Sequence, residues 1–206
     1  MDINQLKSLS IIPVLRKIPY EKSKDIVQAL FDGGIRAIEI TMESDRAELI
    51  IQETVAEFGE KMLVGAGTVL SIDDCKRAIK AGAQFIVSPA FDETVVAYAI
   101  SANVPVIPGV FTPSEMLKAH NAGVAMVKLF PASVLGPGFI KDVKGPLADI
   151  QILTTGGITK ETARDYLDAG AVGIGAGSAL IKKEFIASND WIGLVNEAKA
   201  WIQNTK

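Results

Sequence analysis

The sequence predicts an α/β protein built as one (β/α)8 barrel of the TIM type, a single domain over residues 1–206. Three observations carry the prediction. Eight short β-rich runs alternate with amphipathic segments from end to end. One phrase recurs, "FDGGIRAIEI", "IKAGAQFIVS", "HNAGVAMVKL" and "LDAGAVGIGA", each a helix end, a glycine, a short turn and a strand. No Ser/Pro-rich stretch, low-complexity tract or long charge run interrupts the alternation.

The strands follow in order: "IIPVLR" (11–16), "RAIEIT" (36–41), "MLVGAG" (62–67), "QFIVS" (84–88), "PVIPGV" (105–110), "AMVKLF" (125–130), "IQILTT" (150–155) and "VGIGAG" (172–177). Between them, segments such as "EKSKDIVQALFDGG" and "KETARDYLDAG" place apolar residues near a 3.6 spacing and end on a glycine suited to a left-handed cap. "SANVPVIPG" repeats the turn with Asn103 near the glycine position. "DETVVAYAIS" reads as an outer helix, a short helix is expected before the first strand, and "SNDWIGLVNEAKAWIQ" reads as a closing amphipathic helix. An open doubly wound sheet is the alternative. Eight regular units without a dinucleotide fingerprint favour closure.

Composition narrows the class. The chain is 49% hydrophobic, enough for a large core, yet no run reaches the ~18–20 apolar residues of a membrane span. "MDINQLKSLS" has no basic region followed by an apolar stretch, so no secretory signal is expected. A single cysteine, Cys75, allows no internal disulfide and fits a reducing cytoplasm. The net charge of −3, without a basic block, argues against nucleic acid as a partner.

In such a barrel, chemistry belongs at the C-terminal strand ends. Polar or special residues there are Arg16, then Glu39 and Thr41, Thr68, Ser88-Pro89, Pro108-Gly109, Lys128 with Phe130 and Pro131, Thr154 to Gly157, and Ser178. Strand alternation puts Ala37, Glu39 and Thr41 on one face and Ile38 and Ile40 on the other. It likewise separates Met126, Lys128 and Phe130 from Val127 and Leu129. Sending the aliphatic sets toward the helices turns Glu39 and Lys128 into the barrel. Poor solvation disfavours an ammonium, so an amine there is available to attack a ketone and form a Schiff base. A nearby carboxylate can move the protons. Two structural explanations compete: a buried Lys–Glu ion pair without a catalytic role, and Lys128 reaching out to solvent.

"TTGGIT" (154–159) and "GIGAGSAL" (173–180) follow strands seven and eight, where backbone N–H groups of glycine-rich turns can hold a phosphate. Tight turns in a small barrel would explain them equally. "GIGAGS" does not fit G-x-G-x-x-G, and no Walker A pattern exists. His120 falls near the end of a polar helix and is expected to face water, while Cys75 reads as a packed helix residue. No His/Cys/Asp cluster has metal-ligand spacing, so neither metal nor cofactor is expected.

"IEIT", "GAGTVL", "FIVSPAF", "VIPGVFTPSE", "VKLFPAS", "TTGGIT" and "GIGAGSAL" occur in an order that resembles the 2-keto-3-deoxy-6-phosphogluconate (KDPG) aldolase / 4-hydroxy-2-oxoglutarate (KHG) aldolase family over nearly the whole chain. The resemblance implies a metal-free class I aldolase, usually a homotrimer, acting on a small 2-keto acid, typically phosphorylated; composition adds the expectation of a cytoplasmic protein with no nucleic-acid or membrane partner. By motif it makes Lys128 the Schiff-base lysine and Glu39 the general acid/base. Thr68 would hold the pyruvate carboxylate with Arg16 as helper, and Pro89 and Phe130 would line the pyruvyl pocket. Gly156, Gly157 and Ser178 would form the phosphate pocket. One departure stands out: where strict phosphogluconate enzymes commonly carry an arginine four residues after the glutamate, this chain has Glu43, which repels an anion unless Arg16 or Arg46 compensates.

Two rivals predict other behaviour. A sugar-phosphate epimerase or decarboxylase would keep the glycine loops without needing a Schiff-base lysine. A catalytically silent phosphosugar-binding protein would bind ligand and release no pyruvate.

Overall fold

A computed structural model describes Leu6 and residues 8–205. Nine strand segments, all parallel, run β1 (Ile11–Leu15), β2 (Ala37–Thr41), β3 (Leu63–Gly67), β4 (Phe85–Val87), β5 (Val106–Ile107), β6 (Gly109–Val110), β7 (Val127–Leu129), β8 (Ile152–Thr155) and β9 (Gly173–Ala176). The helices are α1 (Tyr20–Asp32), α2 (Ala47–Phe58), α3 (Ile72–Lys80), α4 (Glu93–Ser101), α5 (Pro113–Asn121), α6 (Ala132–Lys144), α7 (Ala163–Asp168), α8 (Lys183–Ser188) and α9 (Trp191–Asn204). The expected helix before the first strand falls outside the described residues, save Leu6, which is buried at the barrel floor.

The sheet order is β5-β4-β3-β2-β1-β9-β8-β7-β6. Its two ends, β5 and β6, are consecutive pieces of one stave separated by Pro108, so the chain itself closes the barrel. This corrects the single strand expected over 105–110. Proline offers no N–H to a ladder, and the stave changes partners there: Val106 and Ile107 pair with β4, Gly109 and Val110 with β7. The Pro108 carbonyl still accepts the Lys128 amide at 2.8 Å and carries the seam across.

Side-chain alternation sorts the core into two layers as expected. Ile12, Ala37, Phe85, Val87, Ile107, Met126 and Leu153 fill the inside of the barrel. Ile38, Ile40, Val127 and Leu129 face outward into the larger cluster beneath the helices. The recurring turn is also as read. Gly34, Gly82, Gly123 and Gly170 adopt φ of 96°, 97°, 87° and 109°, and Asn103 takes 57°. Each lets the chain leave a helix and enter the next strand through the left-handed region.

The helices start at the strands' C-terminal end, several with side-chain caps. Ser71 caps α3, Asp92 caps α4, and Thr112 and Glu115 form a reciprocal capping box on α5. Cys75 is buried within α3, where desolvation pushes its thiol up to about 11. His120 is exposed at the end of α5. Among the described residues, no helix is long and apolar enough to cross a membrane.

Candidate active site

Above the apolar floor, the barrel interior changes character. Glu39 projects inward from the middle of β2 and is 1% exposed; Lys128 projects inward from β7 across the lumen and is 5% exposed. The Lys128 Nζ lies 3.6 Å from Glu39 Oε1. That is an ion-pair contact but too long for a hydrogen bond, and neither Glu39 oxygen has any hydrogen-bond partner. A buried carboxylate left so costs stability. A pair this incomplete is a poor structural brace, which argues against the purely structural ion pair. Burial of Lys128 also removes the alternative in which it reaches solvent.

Small residues on neighbouring strands make the room. A Cβ at Gly67 would overlap the Glu39 carboxylate, one at Gly65 the Phe85 ring, and one at Gly175 the Thr155 hydroxyl. Removing β-carbons from inward positions opens a cavity of about 970 Å³ at the strands' C-terminal end. All nine residues to which the family resemblance gives a role border it: Arg16, Glu39, Thr68, Pro89, Lys128, Phe130, Gly156, Gly157 and Ser178. Of the other strand-end candidates, Thr41, Ser88, Pro108, Gly109, Pro131 and Thr154 do not.

Their settings differ. Thr68 follows β3 with φ of 53°, a left-handed conformation that a β-branched residue adopts at a cost of about 1–3 kcal/mol. The Phe130 ring stands over the amine, 5.4 Å from Nζ to its centroid, and its edge faces Gly156, where a Cβ would come within 3.1 Å. Gly156 and Gly157 adopt φ of 98° and 71°, so both positions favour glycine. Gly156 accepts the Ser133 amide at 3.0 Å, which fixes the loop against the start of α6. Ser178 is exposed at the rim, following β9.

Arg16 is engaged. Its Nε donates to Glu43 Oε1 at 2.6 Å, and Lys17 lies 3.7 Å from the other oxygen. Arg46 instead lies over the Tyr20 ring and near Asp45. Arg16 and Lys17, not Arg46, therefore compensate Glu43.

Several lining residues were not singled out from the sequence: Val14, Lys17, Lys22 and Lys183. Thr155, named from the sequence only as a strand-end residue, matters more, because it borders the cavity and its buried hydroxyl has no partner. Its place at the end of "ILTT", on the same face as Leu153, was the available signal. Lys22 spends its charge locally, donating to the Ile186 carbonyl at 2.6 Å. Among the described residues, no group of three or more His, Cys, Asp or Glu side chains is gathered as a metal would require.

An inward lysine, an unbonded carboxylate and glycine-rich loops over one cavity suit carbonyl chemistry on an anionic substrate. A family model described as KDPG and KHG aldolase matches residues 3–196. The chain belongs to the KDPG and KHG aldolase family. It is a class I aldolase, a carbon–carbon lyase. The 2-dehydro-3-deoxy-6-phosphogalactonate aldolase of Escherichia coli K12 is 37% identical over 84% of this chain and 85% of its own length. The KHG/KDPG aldolase of the same organism is 30% identical, covering 95% and 92%. The solved structure of a Legionella pneumophila KDPG aldolase, with pyruvate captured at low pH as a covalent carbinolamine, superposes with a TM-score of 0.91 at 27% identity, covering 97% and 98% of the two chains.

Proposed function

We propose that this aldolase cleaves KDPG to pyruvate and glyceraldehyde 3-phosphate, and KHG to pyruvate and glyoxylate, through a Schiff base on Lys128. The observation that carries the reading is the Lys128 amine 3.6 Å from a carboxylate with no other partner, inside the cavity. Glu39 takes a proton from Lys128, and the amine adds to the C2 ketone to give a carbinolamine. Glu39 returns the proton to the departing hydroxyl, which leaves as water and forms the iminium. Glu39 takes the proton of the C4 hydroxyl as the C3–C4 bond breaks. The bond's electron pair flows into the iminium, leaving an enamine, and the aldehyde departs. Protonation at C3 and addition of water then release pyruvate and restore the amine.

The remaining roles are those the family resemblance implies, and the place of each residue on the cavity supports them. Thr68 holds the substrate carboxylate with help from Arg16, and Pro89 and Phe130 enclose the pyruvyl methyl. Gly156, Gly157 and Ser178 receive the phosphate through backbone N–H groups and a hydroxyl. Thr155 supplies a hydrogen bond to a substrate hydroxyl. The C4 epimer, 2-dehydro-3-deoxy-6-phosphogalactonate, is a second substrate candidate, since the 37% relative is named for it. Assembly as a homotrimer, which rests on the family resemblance, and a cytoplasmic location, which rests on composition, belong to the same reading.

Borohydride reduction in the presence of pyruvate, with peptide mapping, tests it. The expected result is one adduct on Lys128 and, for Lys128→Met, no adduct and a loss of cleavage of about 10⁴-fold or more. Lys17, Lys22 and Lys183 also border the cavity, so an adduct on any of these, or none, overturns the assignment. An absent adduct with turnover of a sugar phosphate would favour the epimerase.

A further inference from the structure

The loops after β8 and β9 are tied together from behind by one carboxylate. Glu197, in the closing helix α9, accepts from Lys160 Nζ at 3.2 Å and from Lys182 Nζ at 3.0 Å. Its side chain is 12% exposed, and none of the three residues borders the cavity. Their chain neighbours do. Lys160 follows Ile158 and Thr159, and Lys182 stands between Ile181 and Lys183, all four of which line it. Asn204 of the same helix adds a hydrogen bond to the Lys160 carbonyl at 3.3 Å.

We propose that Glu197 is a positioning residue that sets the separation and orientation of the two glycine-rich loops, and so the fit of the substrate's phosphate. The inference rests on the reading of Gly156, Gly157 and Ser178 as the phosphate pocket. Lys160 and Lys182 both hydrogen-bond the Glu197 carboxylate, the carboxylate of Glu161 also feels both ammonium groups, and partial burial weakens the screening of this cluster by salt. Burial acts to raise the Glu197 carboxyl, but the hydrogen bonds from Lys182 and Lys160 outweigh it and hold the group below its ordinary value, ionised at neutral pH. Without that charge the two lysines repel, and the loops they end lose their common anchor.

Steady-state kinetics of Glu197→Gln on KDPG and on KHG provide the test, with inorganic phosphate as a competitive inhibitor of KHG cleavage. The KM for KDPG is expected to rise about tenfold with kcat little changed. The inhibition constant for phosphate should rise in parallel, and kcat/KM for KHG should stay within about twofold of wild type. Equal losses on both substrates would reduce Glu197 to a general stabiliser, and no change on either would remove its role; each overturns the proposal. Should Glu197→Gln fail to fold, Lys160→Met, which leaves the Lys182 contact in place, reads the same split. The pocket itself is tested separately. Wild-type enzyme insensitive to phosphate, with Ser178→Ala unaltered on KDPG, sinks the pocket reading and the proposal with it. If phosphate competes and Ser178→Ala weakens it while Glu197→Gln does not, only the positioning role fails.

Discussion

The barrel holds two glutamates, one buried and one half-buried, that meet lysines in opposite ways. On the closing helix, Glu197 is fully engaged, with two ammonium groups at hydrogen-bond distance. Inside the lumen, Glu39 is more deeply buried and faces one ammonium at 3.6 Å without a hydrogen bond. The same two residue types thus produce a clamp in one place and an unfinished contact in the other. The unfinished one sits where a cavity has been carved by missing β-carbons, so its partner is a molecule that arrives and leaves. Satisfaction of buried polar groups, more than burial itself, separates structural charge from reactive charge.

The sharpest way to break this contrast is Glu39→Gln. An amide keeps the shape and cannot take up a proton, so kcat is expected to fall about 10²–10⁴-fold while far-ultraviolet circular dichroism stays unchanged. Activity near wild type would place the proton transfers elsewhere. Gly67→Ala tests the space instead of the charge. The new methyl would overlap the Glu39 carboxylate, costing about 1–3 kcal/mol in a denaturant titration and about 10²-fold in kcat by displacing the carboxylate. Gly138→Ala in α6, where nothing lies within 4 Å, serves as the comparison that should leave both unchanged.

The clamp has an acid signature. The carboxyl of Glu197 sits below its ordinary 4.5 when folded. Its contribution to stability is therefore present above that value and lost as pH falls through the folded one. Thermal melts of Glu197→Gln should show a flatter decline below pH 4.5 than wild type, with curves meeting in strong acid. The smallest effect belongs to the rim. Arg16 and Glu43 form a largely exposed pair, a class of contact worth about 0–1 kcal/mol. Glu43→Gln should free Arg16 for an anionic substrate and lower the KM for KDPG by no more than about fivefold. A rise in KM would mean that Glu43 holds Arg16 in a useful pose.

Much of this was legible in the sequence because it depends on periodicities of two and 3.6. Alternation in "RAIEIT" and "AMVKLF" placed Glu39 and Lys128 on the inside, and the recurring helix–glycine–strand phrase located the turns. The break at Pro108 was also written there, as a proline inside a strand, but its meaning depends on which neighbours the two halves reach. The unpartnered hydroxyl of Thr155, the choice of Arg16 over Arg46 as partner of Glu43, and the Glu197 clamp were hidden for a similar reason. Each is defined by groups distant in the chain, such as Lys160 and Glu197, whose approach only the closed barrel creates.

The seam at Pro108 makes catalysis a reporter of folding. The Lys128 amide bonds to the carbonyl of the residue where the first and last edges of the sheet are joined. A chain with that seam still open has the lysine in its sequence but no fixed place for it opposite Glu39. Recovery of pyruvate release during refolding should therefore trail the return of helical signal, and it would time the moment at which the circle is complete.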